Sequence, residues 1–324
     1  MAHAASLGIE VLAITDHDTT VGIPAALEAA RRCNSASTSH WNGAGTSHWN
    51  SASTSRARKI TVVPGVEIST ISGREEIHLL GYFCDLDNLD LQALLVHTRE
   101  RRRERAEQML VRLAQLGLPL ELDRVLAHSG HDRSVGRAHV AMALLEAGHV
   151  SSFDEAFNLW IGRDCPAYVE RYKISPEDAI QLVRKSGGIP VLAHPYTYTR
   201  SGEIKTGLDL KRWLPRLWAA GLMGIEAYYP HYPHRITRRL LTLAIRYDLL
   251  ITGGSDFHGK AIDNGLGSVA VPYIVWKGLK QRRDCQGQSL GEVEPGHSIR
   301  LRRHDPGAEW PNGPGPSSLA SSQV

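Results

Sequence analysis

The chain has 324 residues, 42% of them hydrophobic, and a formal net charge of +3. That length allows one large domain or two of medium size with ample apolar content for a core, and so small a charge gives no compositional argument for nucleic-acid binding. Cys33, Cys84, Cys165 and Cys285 form no C-x-x-C pair, no basic segment precedes the first apolar stretch, and no apolar run is long enough to span a bilayer, which speaks against a disulfide framework and a membrane span and leads to the expectation of a cytoplasmic protein.

His3 to Leu7, closed by Gly8, predicts the last turn of a helix leading into a strand over Ile9–Thr15, and GIPAALEAARRC, with Pro24 suited to a first turn, predicts a second helix. Residues 34–55 carry TSHWN twice and too little apolar surface to order themselves, so a low-complexity loop is expected there. Strands follow at Ile60–Ser69 and Glu76–Phe83. HTRERRRERAEQMLVRLAQLG then places Met109, Leu110, Leu113 and Leu116 on one face and its arginines largely on the other, an amphipathic helix, with further helices at VGRAHVAMALLEAGH and SFDEAFNLWIG. From Ser175 helices alternate with strands: Pro176–Ser186 before Ile189–His194, Leu210–Ala220 before Gly224–Tyr229, and Arg235–Tyr247 before Leu249–Gly254, a rhythm that implies parallel pairing. The organisation expected is a barrel in two segments, 1–89 and 169–279, an all-helical insertion over 90–168 and a disordered tail over 280–324.

The apolar runs keep ending in residues that bind metals. VLAITDHD closes on His17, TVVPGVE on Glu67, EEIHLLGY carries His78, IPVLAHP closes on His194, and LITGGSDFH closes on Asp256 and His258. One buried strand per ligand is how a parallel α/β barrel assembles a metal site at one end of its strands, and ligands this dispersed meet only in a folded barrel. A lone histidine after a strand is ordinarily a satisfied loop residue; the recurrence is what points to a site. These donors suit zinc, manganese or iron. Asp16 and Asp18 flank His17 and are expected to orient imidazoles rather than to ligate, while His194 and His258 are the candidates to protonate a leaving oxygen.

Taken together, TDHDT at 15–19, PGVEIS at 64–69, the IHLLGY around His78, GRAH at 136–139, AHP at 193–195 and GSDFHG at 254–259 resemble the PHP family, named for polymerase and histidinol phosphatase domains. The order and spacing are most similar to its stand-alone phosphoesterases acting on nucleoside bisphosphates and short RNA. The resemblance covers roughly Ala4 to Leu279. It implies an α/β fold, a distorted seven-stranded (β/α) barrel with up to three divalent metal ions. In the family the first strand carries an H-x-H motif that this sequence lacks, so the barrel is expected with its first strand missing. His3, on a helix end, is not expected to replace the lost ligands.

By the same resemblance, Glu67, His78 and His194 make a complete ligand set for one ion, Glu67 and Asp256 part of a second, and His17 and His258 part of a third. Arg105, Arg137 and His139 fall in the insertion, which by resemblance caps the barrel and holds a phosphate or base; an arginine fork suits a second phosphate. His231, His234, Tyr228 and Tyr229, after the sixth strand, are further candidates to touch a base.

The function expected is hydrolysis of phosphate esters of nucleotides or oligonucleotides by a metal-activated water, whose pKa a divalent ion draws from 15.7 to about 7. The partners expected are a phosphorylated small molecule, a nucleotide or a short oligonucleotide, with no membrane and no stable protein partner. The alternatives are a catalytically inactive barrel and a metal-dependent amide or C–N hydrolase. Without the H-x-H motif, weak or absent turnover and sub-stoichiometric metal are expected of this chain. If the missing strand is an annotation loss, the DNA upstream of Met1 is expected to encode, in frame, an H-x-H motif followed by an Asp; sequencing the locus checks this, and stop codons there favour the inactive barrel.

Overall fold

Among the described residues, six apolar strands build the central sheet: β1 (Val11–Ile14), β2 (Thr61–Ser72), β3 (Glu75–Tyr82), β4 (Ile189–Leu192), β7 (Gly224–Tyr228) and β8 (Leu250–Gly253), hydrogen-bonded in the order β1-β2-β3-β4-β7-β8. β5 (Tyr196–Tyr198) and β6 (Ile204–Gly207) form a separate two-stranded ribbon. The structure, a computed structural model, describes residues 1–36, 59–129, 135–170, 174–198, 203–258 and 265–289. β1 and β8 lie at opposite edges of the sheet, yet the rings of His17 and His258, just beyond their C-terminal ends, are 5.5 Å apart. The sheet therefore curls into a half-barrel whose strand ends converge.

β1 pairs parallel with β2, and β4, β7 and β8 pair parallel in turn, as the alternation of helix and strand implies. An all-parallel sheet is corrected at β3, which runs antiparallel to both β2 and β4. The reason is local: Ser72 pairs directly with Glu75 across the Gly73–Arg74 turn, where Gly73 adopts φ +62°. A connection that short joins only antiparallel strands.

The helices form where caps and apolar spacing agree. α1 (Ala2–Ser6) stops before Gly8 at φ +76°. In α7 (Pro176–Lys185) the Ser175 hydroxyl accepts from the Asp178 N–H at 3.0 Å, Pro176 occupies the first turn, and Ala179, Ile180 and Val183 are buried against the sheet. α8 (Leu210–Ala219) and α9 (His234–Arg246) bury Trp213, Leu214, Leu240 and Leu243 in the same core. α2 (Gly22–Ala36) runs into the expected low-complexity loop: Asn34 is helical, and its side-chain amide brackets Ile60, donating to its carbonyl at 3.0 Å and accepting from its N–H at 2.9 Å. The rest of that tract lies outside the described residues.

The insertion carries a second hydrophobic core. α3 (Leu89–Gln115) is opened by Asn88, whose side chain accepts from the Leu91 N–H at 3.0 Å, and its two halves serve different cores. Leu91 and Leu95 pack with the sheet, whereas Ala106, Met109, Leu110 and Leu113 pack with α4 (Leu122–Ala127), α5 (Arg137–Glu146) and a π-helix over Ala156–Ile161 that follows the short α6 (Phe153–Glu155). One rigid helix thus connects the sheet to the helical cap. α10 (Tyr273–Ser289) corrects the expected start of the tail: it places Trp276 and Leu279 against Val63, Leu80 and Tyr82 and continues past residue 280. The remainder of the expected tail, 290–324, lies outside the described residues. Among the described residues no helix is long and apolar enough to cross a membrane.

Leu95 and Leu113 are both 0% exposed, one in each core. Leu95→Ala and Leu113→Ala are each expected to lower the unfolding free energy by about 2–5 kcal/mol through lost burial and the cavity left behind, measured by urea denaturation.

Candidate metal centre

Glu67 stands in the middle of β2 and is only 4% exposed. The chain after β1 stays paired with it: the Glu67 N–H donates to the Asp16 carbonyl at 3.1 Å, and the Asp18 N–H donates to the Glu67 carbonyl at 2.8 Å. This makes His17 and Glu67 parallel neighbours, so their side chains share a face. On the other side Glu67 pairs with Leu80 in β3, which puts His78, two residues away, diagonally across on the same face. The chain leaving β4 is tied to β3 by the Ala193 N–H donating to the His78 carbonyl at 3.0 Å, which delivers His194 alongside.

Three imidazoles therefore surround one buried carboxylate. His78 Nδ1 is 2.7 Å and His194 Nε2 3.0 Å from Glu67 Oε1, and His17 Nδ1 is 3.7 Å from Oε2. The rings of His17 and His78, and of His78 and His194, are each 5.2 Å apart. Ligand atoms of His17, Glu67 and His78 all lie within 4.8 Å of one another. The His78 Nδ1 atom is buried, close to Oε1, and not aligned for a hydrogen bond with it, which fits a donor set aimed at a shared cation rather than at itself. Burial opposes ionisation of Glu67, but the field of His17, the hydrogen bond from His194 and the contact with His78 outweigh it and hold the carboxyl well below its usual range. Burial draws His17 down to about 4 against the pull of Glu67. Burial also opposes the charge on His194, but the hydrogen bond and field of Glu67, with Glu226 and Asp256, raise it to about 9.

Asp256 and His258 close the other side of the cluster. Asp256 follows β8 at φ +48° and accepts from the Tyr229 hydroxyl at 2.7 Å, while the Tyr229 ring lies 5.3 Å from that of His194. His258 is exposed and held to its own turn, Nδ1 2.9 Å from the Asp256 carbonyl. All six predicted ligand residues thus gather at one end of the sheet. Tyr229, considered from sequence for a base, is engaged with Asp256.

Two contributors are missed by sequence reasoning. Glu226, buried in β7, accepts from the His194 N–H at 2.8 Å and fixes that residue's backbone; burial raises its carboxyl to about 8, against the opposing effect of His194. A lone acid inside the apolar GIEAY is its only signal. Arg102 sits in the arginine run that reads as a solvated helix face. It instead donates from Nε at 2.9 Å and from Nη2 to Oδ2 of the fully buried Asp18, and from Nη2 to Ser69 Oγ at 3.1 Å, while Asp18 Oδ1 accepts from the Ser69 N–H at 2.9 Å. Asp18 therefore locks the turn that carries His17. The predicted substrate residues lie in the cap: Arg105 and Arg137 stand 5.5 and 5.8 Å over the ring of Tyr168, and His139 Nδ1 accepts from the Gly136 N–H at 3.0 Å, tightening the start of α5. A Cβ on Gly136 would be 3.6 Å from Arg102 Nη1, so the GRAH turn packs against the arginine that holds Asp18.

No protein-family model matches the chain. It is 32% identical over 262 residues to the 5'-3' exoribonuclease Rnm of Escherichia coli K12, covering 79% of this chain and 77% of that protein. The chain belongs to the PHP phosphoesterase family. It is also 30% identical to the phosphoribosyl 1,2-cyclic phosphate 1,2-diphosphodiesterase of Eggerthella lenta, over 80% of this chain and 87% of that one, and 29% identical to the 3',5'-nucleoside bisphosphate phosphatase of Chromobacterium violaceum, over 86% and 89%. Among solved structures, a protein of Bifidobacterium adolescentis described as a metal-dependent phosphoesterase superposes with a TM-score of 0.70 at 30% identity, covering 87% of this chain and 88% of that one. An amidohydrolase of Chromobacterium violaceum with bound sulfate and no metal gives 0.68 at 30% identity, over 87% and 89%.

Arg102→Ala leaves the Asp18 carboxylate buried without its cation and is expected to cost about 3–5 kcal/mol of stability. Arg102→Lys is expected to recover only part of this, because a single ammonium does not reproduce the forked contact with Asp18 and Ser69. Denaturant titration of both variants provides the comparison.

Proposed function

We propose that the protein is a metal-dependent phosphoesterase acting on nucleotides or short RNA, with His17, Glu67, His78, His194, Asp256 and His258 holding divalent cations. The observation that carries this reading is the buried Glu67 carboxylate faced by His17, His78 and His194, with its two oxygens approached from different sides. Two oxygens can serve two cations at once, whereas each imidazole nitrogen serves one. Asp256, braced by Tyr229, supplies a second carboxylate beside His258. A divalent cation bound here supplies Lewis-acid activation of the attacking water and neutralises charge on the phosphoryl oxygens.

The protein's own groups divide the remaining work. Glu226 and Asp18 hold the backbone of His194 and the turn of His17, so the donors meet the cation with little reorganisation. His258 is the better placed of the two predicted proton carriers. It stands at the exposed rim with Nδ1 occupied by the Asp256 carbonyl, whereas His194 Nε2 is engaged by Glu67. Arg105 and Arg137 present guanidinium groups on the cap; burial, with the neighbouring Arg137 cation, lowers Arg105 to about 10, so it remains charged at neutral pH. They suit the second phosphate of a nucleoside bisphosphate or the backbone of a short RNA.

With added Mn2+, the purified chain is expected to release phosphate from a nucleoside 3',5'-bisphosphate and mononucleotides from a 5'-phosphorylated RNA at the weak rate expected from its sequence, and EDTA is expected to abolish both. Glu67→Gln is expected to cut turnover by more than about 100-fold, beyond what loss of a group behind the ligands does, with circular dichroism confirming the fold. Metal bound in full without turnover of either substrate supports an inactive barrel, and hydrolysis of amides in place of phosphates supports an amide hydrolase.

A further inference from the structure

We infer that the seam between the tip of the β2–β3 hairpin and the cap is a groove for a downstream nucleotide of an oligonucleotide substrate, an inference that rests on the phosphoesterase reading above. The half-open groove has a volume of about 410 Å³ and is lined by Arg74 on the hairpin, by Arg163, Asp164 and Tyr168 on the cap and by Glu170 just after it. That volume is in the range of small-molecule sites. The groove is built before any ligand arrives: Arg163 Nη1 donates to the Arg74 carbonyl at 2.5 Å, and the Ile71 N–H donates to the Ile174 carbonyl at 3.2 Å, joining the hairpin to the cap side.

Its position decides which ligand it serves. β2 continues past Glu67 to Ser72, and at about 3.3 Å per residue the Gly73–Arg74 tip stands about 20 Å beyond the carboxylate. A mononucleotide with its phosphate at Glu67 does not reach that far, whereas a chain of several nucleotides does. The intervening path is marked by cations and aromatic faces. Arg102 borders the site through Asp18, Arg105 follows one turn later on the same side of α3, and the Tyr168 ring lies between Arg105 and the groove it lines. Arg137 extends this ladder, its guanidinium 5.8 Å from Tyr168 and 5.5 Å from Phe157. Phe157 is presented by the π-helix, a rare backbone form concentrated at functional sites.

The lining chemistry fits a whole nucleotide better than a free anion. Arg74 and Arg163 offer donors to a phosphate, Tyr168 offers a face to a base, and the carboxylates of Asp164 and Glu170 accept from ribose hydroxyls or base amino groups. The two acids offset the two arginines, so a lone phosphate gains little there.

The test is steady-state kinetics with Mn2+ on a nucleoside 3',5'-bisphosphate and on a 5'-phosphorylated RNA pentanucleotide. Arg74→Ala is expected to lower kcat/KM for the pentanucleotide about tenfold, the worth of one charge-assisted hydrogen bond, mainly through KM, and to leave the bisphosphate unchanged. Glu170→Gln is expected to show the same selective loss. Equal losses on both substrates, or none on either, overturn the groove. If the wild-type chain turns over neither substrate, the phosphoesterase reading fails instead. Fluorescence anisotropy with a labelled pentanucleotide then decides the groove by itself: about tenfold weaker binding by Arg74→Ala supports it and equal binding overturns it.

Discussion

A single buried carboxylate organises this protein. Glu67 is nearly inaccessible to water, and an ionised group there is costly unless charge or hydrogen bonds compensate. Compensation comes from His17 after β1, His78 within β3 and His194 after β4, so the carboxylate stays ionised only if β1 and β3 are in register with β2 and β4 with β3. Fold and site are therefore one constraint. The register of β3 is part of it, because the pairing of Leu80 with Glu67 puts His78, two residues away, on the face of Glu67.

A second buried carboxylate extends that constraint into the cap. Asp18 sits in the turn carrying His17 and is held by Arg102 of α3. The same helix enters the cap core through Met109 and Leu113, and the GRAH turn lies against Arg102. The position of the cap is thus referenced to the turn that carries His17 by a charged contact and not only by apolar packing. This is the arrangement expected where a cover must hold a substrate at a fixed distance from the chemistry, since misplacement by about 1 Å is enough to slow a reaction about a hundredfold. The Tyr168 ladder and the hairpin groove continue outward from that junction.

Much of this was legible in the residues themselves. The strands were readable because short apolar runs ended in His, Glu or Asp or, in β3, carried a His within them, and those six residues do gather. The helices of α7, α8 and α9 were readable from caps and spacing to within a residue or two. What was not legible has physical causes. Arg102 is one of several arginines in a charged run, and nothing in the run marks which one turns inward; a buried acid from another element chooses it. Glu226 is missed because a buried acid is indistinguishable in sequence from an exposed one. α10 is missed because its composition is polar overall, although Trp276 and Leu279 pack into the core.

The sequence by itself determined the candidate donors, the order of the strands along the chain and the family. These depend on which residue types stand at which spacing, and spacing is a property of the chain. The tertiary structure alone decided that β3 reverses direction, that His17 meets His258 across the curl of the sheet, that Asp18 and Arg102 join barrel to cap, and that a groove lies at the hairpin tip. Each of these is a contact between segments distant in sequence, and such contacts are selected by the burial and charge compensation of the whole fold, which no local pattern encodes.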